Sequence, residues 1–200
     1  MSKPPPLQPG RYYHIYNRGN NQENIFLEER NYPYFLKLYA QHIEPVADTF
    51  AYCLLRNHFH LLVRIKDLTG LRDLSGLPRP PEPSQQFSNL FNAYARAFNK
   101  AYNRTGALFQ RPFGRIEVTS DAHFIQLVTY IHQNPQKHGF VTDFCDWPFS
   151  SYHTLLVTKP TRVKRDEVLT WFGGIDNMAA AHRQEVAHRQ IAALAPEDFG

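Results

Sequence analysis

Two histidines, His58 and His60, flank Phe59 at the head of the apolar run Leu61-Leu62-Val63. On a strand, alternate side chains share a face, so both imidazoles project together while Phe59 enters the opposite layer, a geometry suited to holding one divalent ion. An HxH triplet is also a frequent structural feature. Two polar rings entering a buried strand are costly without a partner, however, which favours ligation. A second constellation is Tyr130 and Asn134 in YIHQNP. Four residues apart on a helix they are neighbours, flanking the stripe of Phe124, Leu127, Val128 and Ile131. Taken alone, they read more readily as a core tyrosine and a helix-end residue before Pro135. His132 falls on another face and is expected to have a structural or outer role.

The third constellation is electrostatic. Between Glu82 and Glu117 there is no acidic residue, yet Arg96, Lys100, Arg104, Arg111 and Arg115 are present, interleaved with Tyr102, Phe109 and Phe113. Such a stretch suits a phosphate backbone with stacked unpaired bases, and the competing reading is a solvated helix face.

These residues need elements to position them. Arg11–Arg18 reads as a first strand, Glu28–Ile43 as a helix ended by Pro45, and Phe50–Leu55 with Phe59–Ile65 as a hairpin across Arg56-Asn57-His58. Lys66–Ser84, with its four prolines, reads as a surface insertion. In Gln85–Arg104 the aromatic positions 87, 91, 94, 98 and 102 predict an amphipathic helix with a basic outer side. Phe113–Thr119 then reads as a strand and Asp121–Asn134 as a third helix, capped by Ser120 or Asp121 and limited by Pro135. The order β-α-β-β-α-β-α is that of an α+β, ferredoxin-like split βαβ sheet with one added helix. Beyond it, Trp147–Leu156, Asp166–Phe172 and Asp176–Leu194 are expected helices. The expected division is a Pro-rich lead (1–10), a catalytic domain (11–158, carrying the 66–84 insertion) and a C-terminal helical extension (159–200).

Composition bounds the function class. The 200 residues are 42% hydrophobic and 20% charged, which fits a real core and excludes a mainly disordered chain. The net charge of +4 and pI near 9.1 give a mild bias toward polyanions. Cys53 and Cys145 form no zinc-like pair, and no apolar run is long enough to span a bilayer. The expectation is a protein of a reducing cytoplasm without membrane attachment.

NHFHLLV (Asn57–Val63) and YIHQNPQKHGFV (Tyr130–Val141) together resemble the single-tyrosine HUH transposases of the smallest insertion sequences, most closely the REP-associated tyrosine transposases. The resemblance extends through YHIYNRGNNQENIF, GALFQRPF, WPFSSY and RDEVLTWFGG, from about Arg11 to Gly174. It implies that Tyr130, on the third helix, is the nucleophile and that His58, His60 and Asn134 are metal ligands. Arg18 and Lys137, inside the shared motifs, join Arg96, Lys100, Arg104, Arg111 and Arg115 as expected DNA contacts. The long insertion and the tail after Gly174 depart from the family pattern.

An ordinary phenol, with a pKa near 10, is a poor nucleophile at neutral pH and needs an activated phosphate. Two imidazoles and an amide oxygen without thiolate favour Mg²⁺ or Mn²⁺ over zinc. The implied activity is transesterification through a 5′-phosphotyrosine and strand rejoining. The implied substrate is single-stranded or REP-like hairpin DNA, acted on by a monomer or homodimer at a prokaryotic nucleoid. Two alternatives stay open: a catalytically silent single-strand binding protein, and a nickase of the relaxase or replication-initiator type.

Overall fold

The computed structural model describes residues 6–68 and 81–184; the greater part of the proline-rich insertion and the end of the last expected helix lie outside them. Four strands form one sheet in the order β2-β3-β1-β4, every neighbouring pair antiparallel. They are β1 (Tyr12–Arg18), β2 (Ala47–Leu54), β3 (His58–Ile65) and β4 (Gly114–Val118). The helices are α1 (Asn31–His42), α2 (Pro83–Ala101), α3 (Asp121–Lys137), α4 (Tyr152–Leu156), α5 (Arg165–Phe172) and α6 (Ile175–Arg183).

Register assigns the faces. Tyr16 lies opposite His60, His14 opposite Leu62 and Tyr12 opposite Arg64, so these side chains share one face with Gly114 and Ile116 of β4. Helix α3 covers that face, with Phe124 5.7 Å from Tyr12 and Tyr130 5.4 Å from His60 between ring centres. The opposite face carries Phe59, packed against Phe35 of α1 at 5.3 Å and Phe91 of α2 at 5.5 Å. A sheet sandwiched in this way separates the histidine face from the face of the basic helix.

Boundaries moved where polar residues concealed an element. Strand β2 begins at Ala47 rather than Phe50, because Asp48 faces Arg64 across the pair and is joined to it at 2.9 Å. A register shift between Thr49 and Ala51 then breaks the apolar alternation. Helix α2 starts at Pro83, within the span read as insertion, because Glu82 caps it by accepting from the backbone of Ser84 and Gln85. Helix α3 runs through Pro135 to Lys137. Proline lacks the N–H that would bond to Ile131, yet His138 N–H to Asn134 O at 3.0 Å and Phe140 N–H to Pro135 O at 2.9 Å close the last turn.

The expected helix over Trp147–Leu156 is helical only in α4. Its first half is held extended along the β2 edge by Leu54 N–H to Phe149 O and Ser151 N–H to Tyr52 O, both at 2.9 Å. Trp147 adds an indole bond to Leu54 O at 2.9 Å, so this segment covers an otherwise open strand edge. Helices α5 and α6 join the same core: Trp171 stacks on Phe124 at 4.2 Å, and His182 bonds to the buried His132 at 2.8 Å. His132 is thus an interior residue, with no outer role.

Candidate active site

The site forms where the first half of β3 meets the last turns of α3. His58, His60, Tyr130 and Asn134 are each no more than 5% exposed. Alternation on β3 sends both imidazoles to the α3 face, and the helical repeat of four brings Tyr130 and Asn134 to them, as the spacing predicts. His58 Nε2 lies 3.1 Å from Asn134 Oδ1, and its Nδ1 lies 2.7 Å from Asn57 Oδ1. Burial foremost, then neighbouring His138 and the cations Arg18 and Lys137, lower the His58 pKa to about 3 against the opposing contact with Asn134. The ring is therefore neutral at pH 7 and has one N–H to give.

That single proton exposes a mismatch. Given to Asn57 across the shorter contact, it leaves Nε2 and Asn134 Oδ1 facing each other as two acceptors. In that tautomer the two converging lone pairs, 3.1 Å apart, are a donor set for a cation. His60, fully buried, is likewise held neutral, by burial first and then by His14, His58, His138 and Lys137. Two further polar atoms point the same way: the Tyr130 hydroxyl and Asn134 Nδ2 are buried and have no hydrogen-bond partner among the described residues. Buried groups of this kind are costly and uncommon, and a binding site explains them. His58, His60 and Asn134 therefore fit a divalent ion. Among the described residues no cluster of three His, Cys, Asp or Glu side chains exists to compete.

Charge around the site is positive: Lys137 Nζ lies 4.9 Å from the centre of the Tyr130 ring and Arg18 is opposite His58 in the sheet. The His138 ring, 4.8 Å from His58, has its pKa lowered to about 4 by burial and adds no charge at pH 7. Of the seven basic residues expected to touch DNA, two are therefore here. Arg96, Arg111 and Arg115 line a different feature, a groove of about 760 Å³ between α2 and the 106–115 segment, which also carries Asn17, Asn92 and Asn99. Because Asn17 and Arg115 share the Phe59 face of the sheet, this groove opens on the side opposite the histidines. Lys100 is exposed on α2. Arg104 is occupied internally, bonded to Glu23 through Nε at 3.0 Å and to Asn99 Oδ1 at 3.3 Å. Phe109 and Phe113, expected to be available for stacking, are 5% and 7% exposed and belong to the core.

Sequence reasoning passed over three neighbours. His14 Nε2 is 2.9 Å from His60 Nδ1, and Asn57 orients His58. Tyr16 leans on His14 with ring centres 4.9 Å apart, where a Cβ on Gly114 would come within 1.9 Å of the Tyr16 ring. The signal for His14 and Tyr16 was period two within Arg11–Arg18, which sets one face but names no partner strand, and Asn57 stood beside His58 in NHFHLLV without a stated role.

A curated protein of Haemophilus influenzae, provisionally named a REP-associated tyrosine transposase, is 33% identical over 109 residues, 53% of this chain and 59% of that protein. The REP-associated tyrosine transposase of Escherichia coli is 32% identical over 73 residues, 36% of this chain and 44% of that protein. The chain is similar in sequence to REP-associated tyrosine transposases. The matched segments span about half the length of these transposase relatives. A solved REP-associated tyrosine transposase bound to a REP hairpin superposes with a TM-score of 0.57 at 20% identity, covering 80% of this chain and 88% of that one, and so shares the fold. No family model matches the chain. Among the described residues, no helix is long and apolar enough to cross a membrane.

Proposed function

We propose that the protein is a single-stranded DNA transposase that cuts and rejoins strands through Tyr130, and that its substrate is hairpin DNA with an unpaired flank. The observation that carries this reading is the buried, partnerless Tyr130 hydroxyl beside the converging lone pairs of His58 and Asn134. The sheet order is read as the ferredoxin-like split βαβ arrangement with the nucleophile on its third helix, as in the resemblance. Kinship with REP-associated tyrosine transposases supports the substrate class, since the solved relative is bound to a REP hairpin.

His58, His60 and Asn134 would hold Mg²⁺ or Mn²⁺, the ions suited to a nitrogen and oxygen donor set without thiolate. Bound there, the ion would polarise the scissile phosphate and offset charge developing on its oxygens. Tyr130 Oη forms a bond to phosphorus as the bond to the 3′ oxygen breaks; the phenol gives up its proton and the departing strand gains one as a 3′-hydroxyl. Because the phosphotyrosine ester conserves the bond, a 3′-hydroxyl can attack it in reverse and rejoin DNA. Lys137 and Arg18 supply fixed positive charge toward the phosphate. Asn57, bonded to His58 Nδ1, keeps the Nε2 lone pair of that ring directed at the site.

Labelled hairpin DNA with a single-stranded flank, incubated with protein and Mn²⁺, should give a denaturant-resistant adduct that maps to the Tyr130 peptide. Tyr130→Phe, which keeps the ring but removes the oxygen, should give none. An adduct persisting in that variant, or metal-dependent cleavage that leaves a water-derived 5′-phosphate and no adduct, would replace the transposase mechanism by another nucleophile or by hydrolysis.

A further inference from the structure

We propose that His14 is a positioning residue for the metal site: it accepts a hydrogen bond from His60 Nδ1 and so fixes His60 in the tautomer whose Nε2 can ligate. The inference rests on the metal reading of His58, His60 and Asn134 and extends it to a residue outside that set. His14 stands in the middle of β1, one of the two central strands, opposite Leu62 on one side and Ile116 on the other. It is fully buried, in a row where an apolar residue would pack at no polar cost. What distinguishes the position is its 2.9 Å contact, Nε2 to His60 Nδ1, with the rings stacked at 5.1 Å and 26°.

Two imidazoles meeting nitrogen to nitrogen at 2.9 Å share one hydrogen, and its location decides what His60 can do. If His14 holds it, His60 Nδ1 is the acceptor and the His60 proton sits on Nε2, where it blocks ligation. If His60 holds it, Nε2 presents a lone pair to the site and His14 Nε2 accepts. Only the second arrangement is compatible with a metal on His60, so metal binding and the direction of this hydrogen bond are linked. The same logic holds for His58, whose partner is Asn57; each ligand ring has its remote nitrogen engaged. Tyr16 flanks both rings, 4.9 Å from His14 and 6.4 Å from His60 between ring centres, in space that Gly114 leaves open.

The test is Mn²⁺ titration by calorimetry of the full chain and of His14→Phe, His14→Gln and His60→Ala, without DNA. His14→Phe fills the space but has no acceptor, and loss of such a supporting bond costs roughly 10- to 100-fold in metal affinity. His14→Gln, whose amide oxygen can stand where Nε2 stood, should recover most of that loss. Parent-like Mn²⁺ affinity in His14→Phe, or equal weakening in Phe and Gln variants, would overturn the positioning role while leaving the metal site intact. If His60→Ala itself binds Mn²⁺ like the parent, the metal reading falls and this one with it. A measurement needing no variant is the imidazole ¹H–¹⁵N spectrum of the Mg²⁺-loaded parent: His60 should carry its proton on Nδ1, and an Nε2-protonated His60 would sink the proposal.

Discussion

Among the described residues two buried histidine pairs meet nitrogen to nitrogen, His14–His60 and His132–His182, and only the first lies at the candidate site. Both pairs are closely stacked, at 5.1 and 5.0 Å between ring centres, and both meet nitrogen to nitrogen, at 2.9 and 2.8 Å. They differ in what surrounds them. In the second pair, His182 Nδ1 faces Met178 O at 2.8 Å and must carry its proton there. His182 Nε2 therefore accepts from His132 Nδ1–H, and His132 Nε2 accepts from the Ser151 hydroxyl at 2.8 Å. Ser151 Oγ in turn accepts the Tyr52 N–H at 2.9 Å. Each of these contacts is satisfied by neutral groups, in one direction only, tying α6 to α3 and to the strand edge. Around His58 and His60 the account does not close: the one proton of neutral His58 faces two amide oxygens, those of Asn57 and Asn134, and the Tyr130 hydroxyl and Asn134 amide nitrogen are left over. Residue type and burial are therefore poor guides to function, and the decisive feature is whether hydrogen bonding is complete.

Exchanging the damage between the pairs gives the largest expected contrast. His60→Ala should abolish metal-dependent cleavage while shifting the melting temperature by only a few degrees. His132→Ala leaves His182 Nε2 without its partner in the interior, removes one contact of the Ser151 hydroxyl and opens a cavity, and should cost about 2–4 kcal/mol of stability. Its cleavage rate per folded molecule should stay near that of the parent. Chemical denaturation and single-turnover cleavage on the same preparations check both, and a folded but inactive His132→Ala would erase the distinction.

Acid should sharpen the same comparison through His182. Burial lowers its pKa from 6.5 to about 4, partly offset by the bond to Met178. Below pH 6.5 the unfolded chain takes up a proton that the folded chain refuses, so stability is full above 6.5 and declines until the folded ring protonates near 4. Each group of this kind contributes a slope of about 1.4 kcal/mol per pH unit inside the window. His182→Gln should therefore unfold with a shallower acid dependence between pH 6.5 and 4, and an unchanged slope would mean that the ring titrates normally.

Much of the site was legible because it depends on two short periods. Period two brings His58 and His60 to one face and period four brings Tyr130 beside Asn134; neither needs knowledge of the other strands. His14 was not legible, since its partnership with His60 exists only through the β1–β3 register, across 46 residues. For His132 the sequence left a structural and an outer role open for a related reason: its polar partners come from 19 and 50 residues further along the chain, and they make the role structural. Boundaries failed where polar residues were paired, as Asp48 with Arg64, or where a strand edge captured a segment, as at Trp147–Ser151.

The smallest expected effect divides the basic residues by sheet face. Arg96 and Arg111 line the groove on the Phe59 side, whereas Arg18 and Lys137 are at the histidine site. Charge reversal at Arg96 or Arg111 should weaken binding of an unpaired strand and make its salt dependence shallower by about 0.7 for each phosphate no longer neutralised. Single-turnover cleavage at saturating DNA should change little, because the sheet lies between the groove and Tyr130. Lys137→Ala should show the reverse, a slower step with most of the affinity retained. Arg104→Ala, which releases Glu23, should leave the salt slope unaltered and lower stability by no more than about 1 kcal/mol, as expected for a partly exposed ion pair. Filter binding across a salt series, read beside single-turnover rates, separates the three classes. Equal reductions of slope from Arg96, Arg104 and Lys137 would mean that DNA does not distinguish the two faces, and that the groove is no more than a solvated surface.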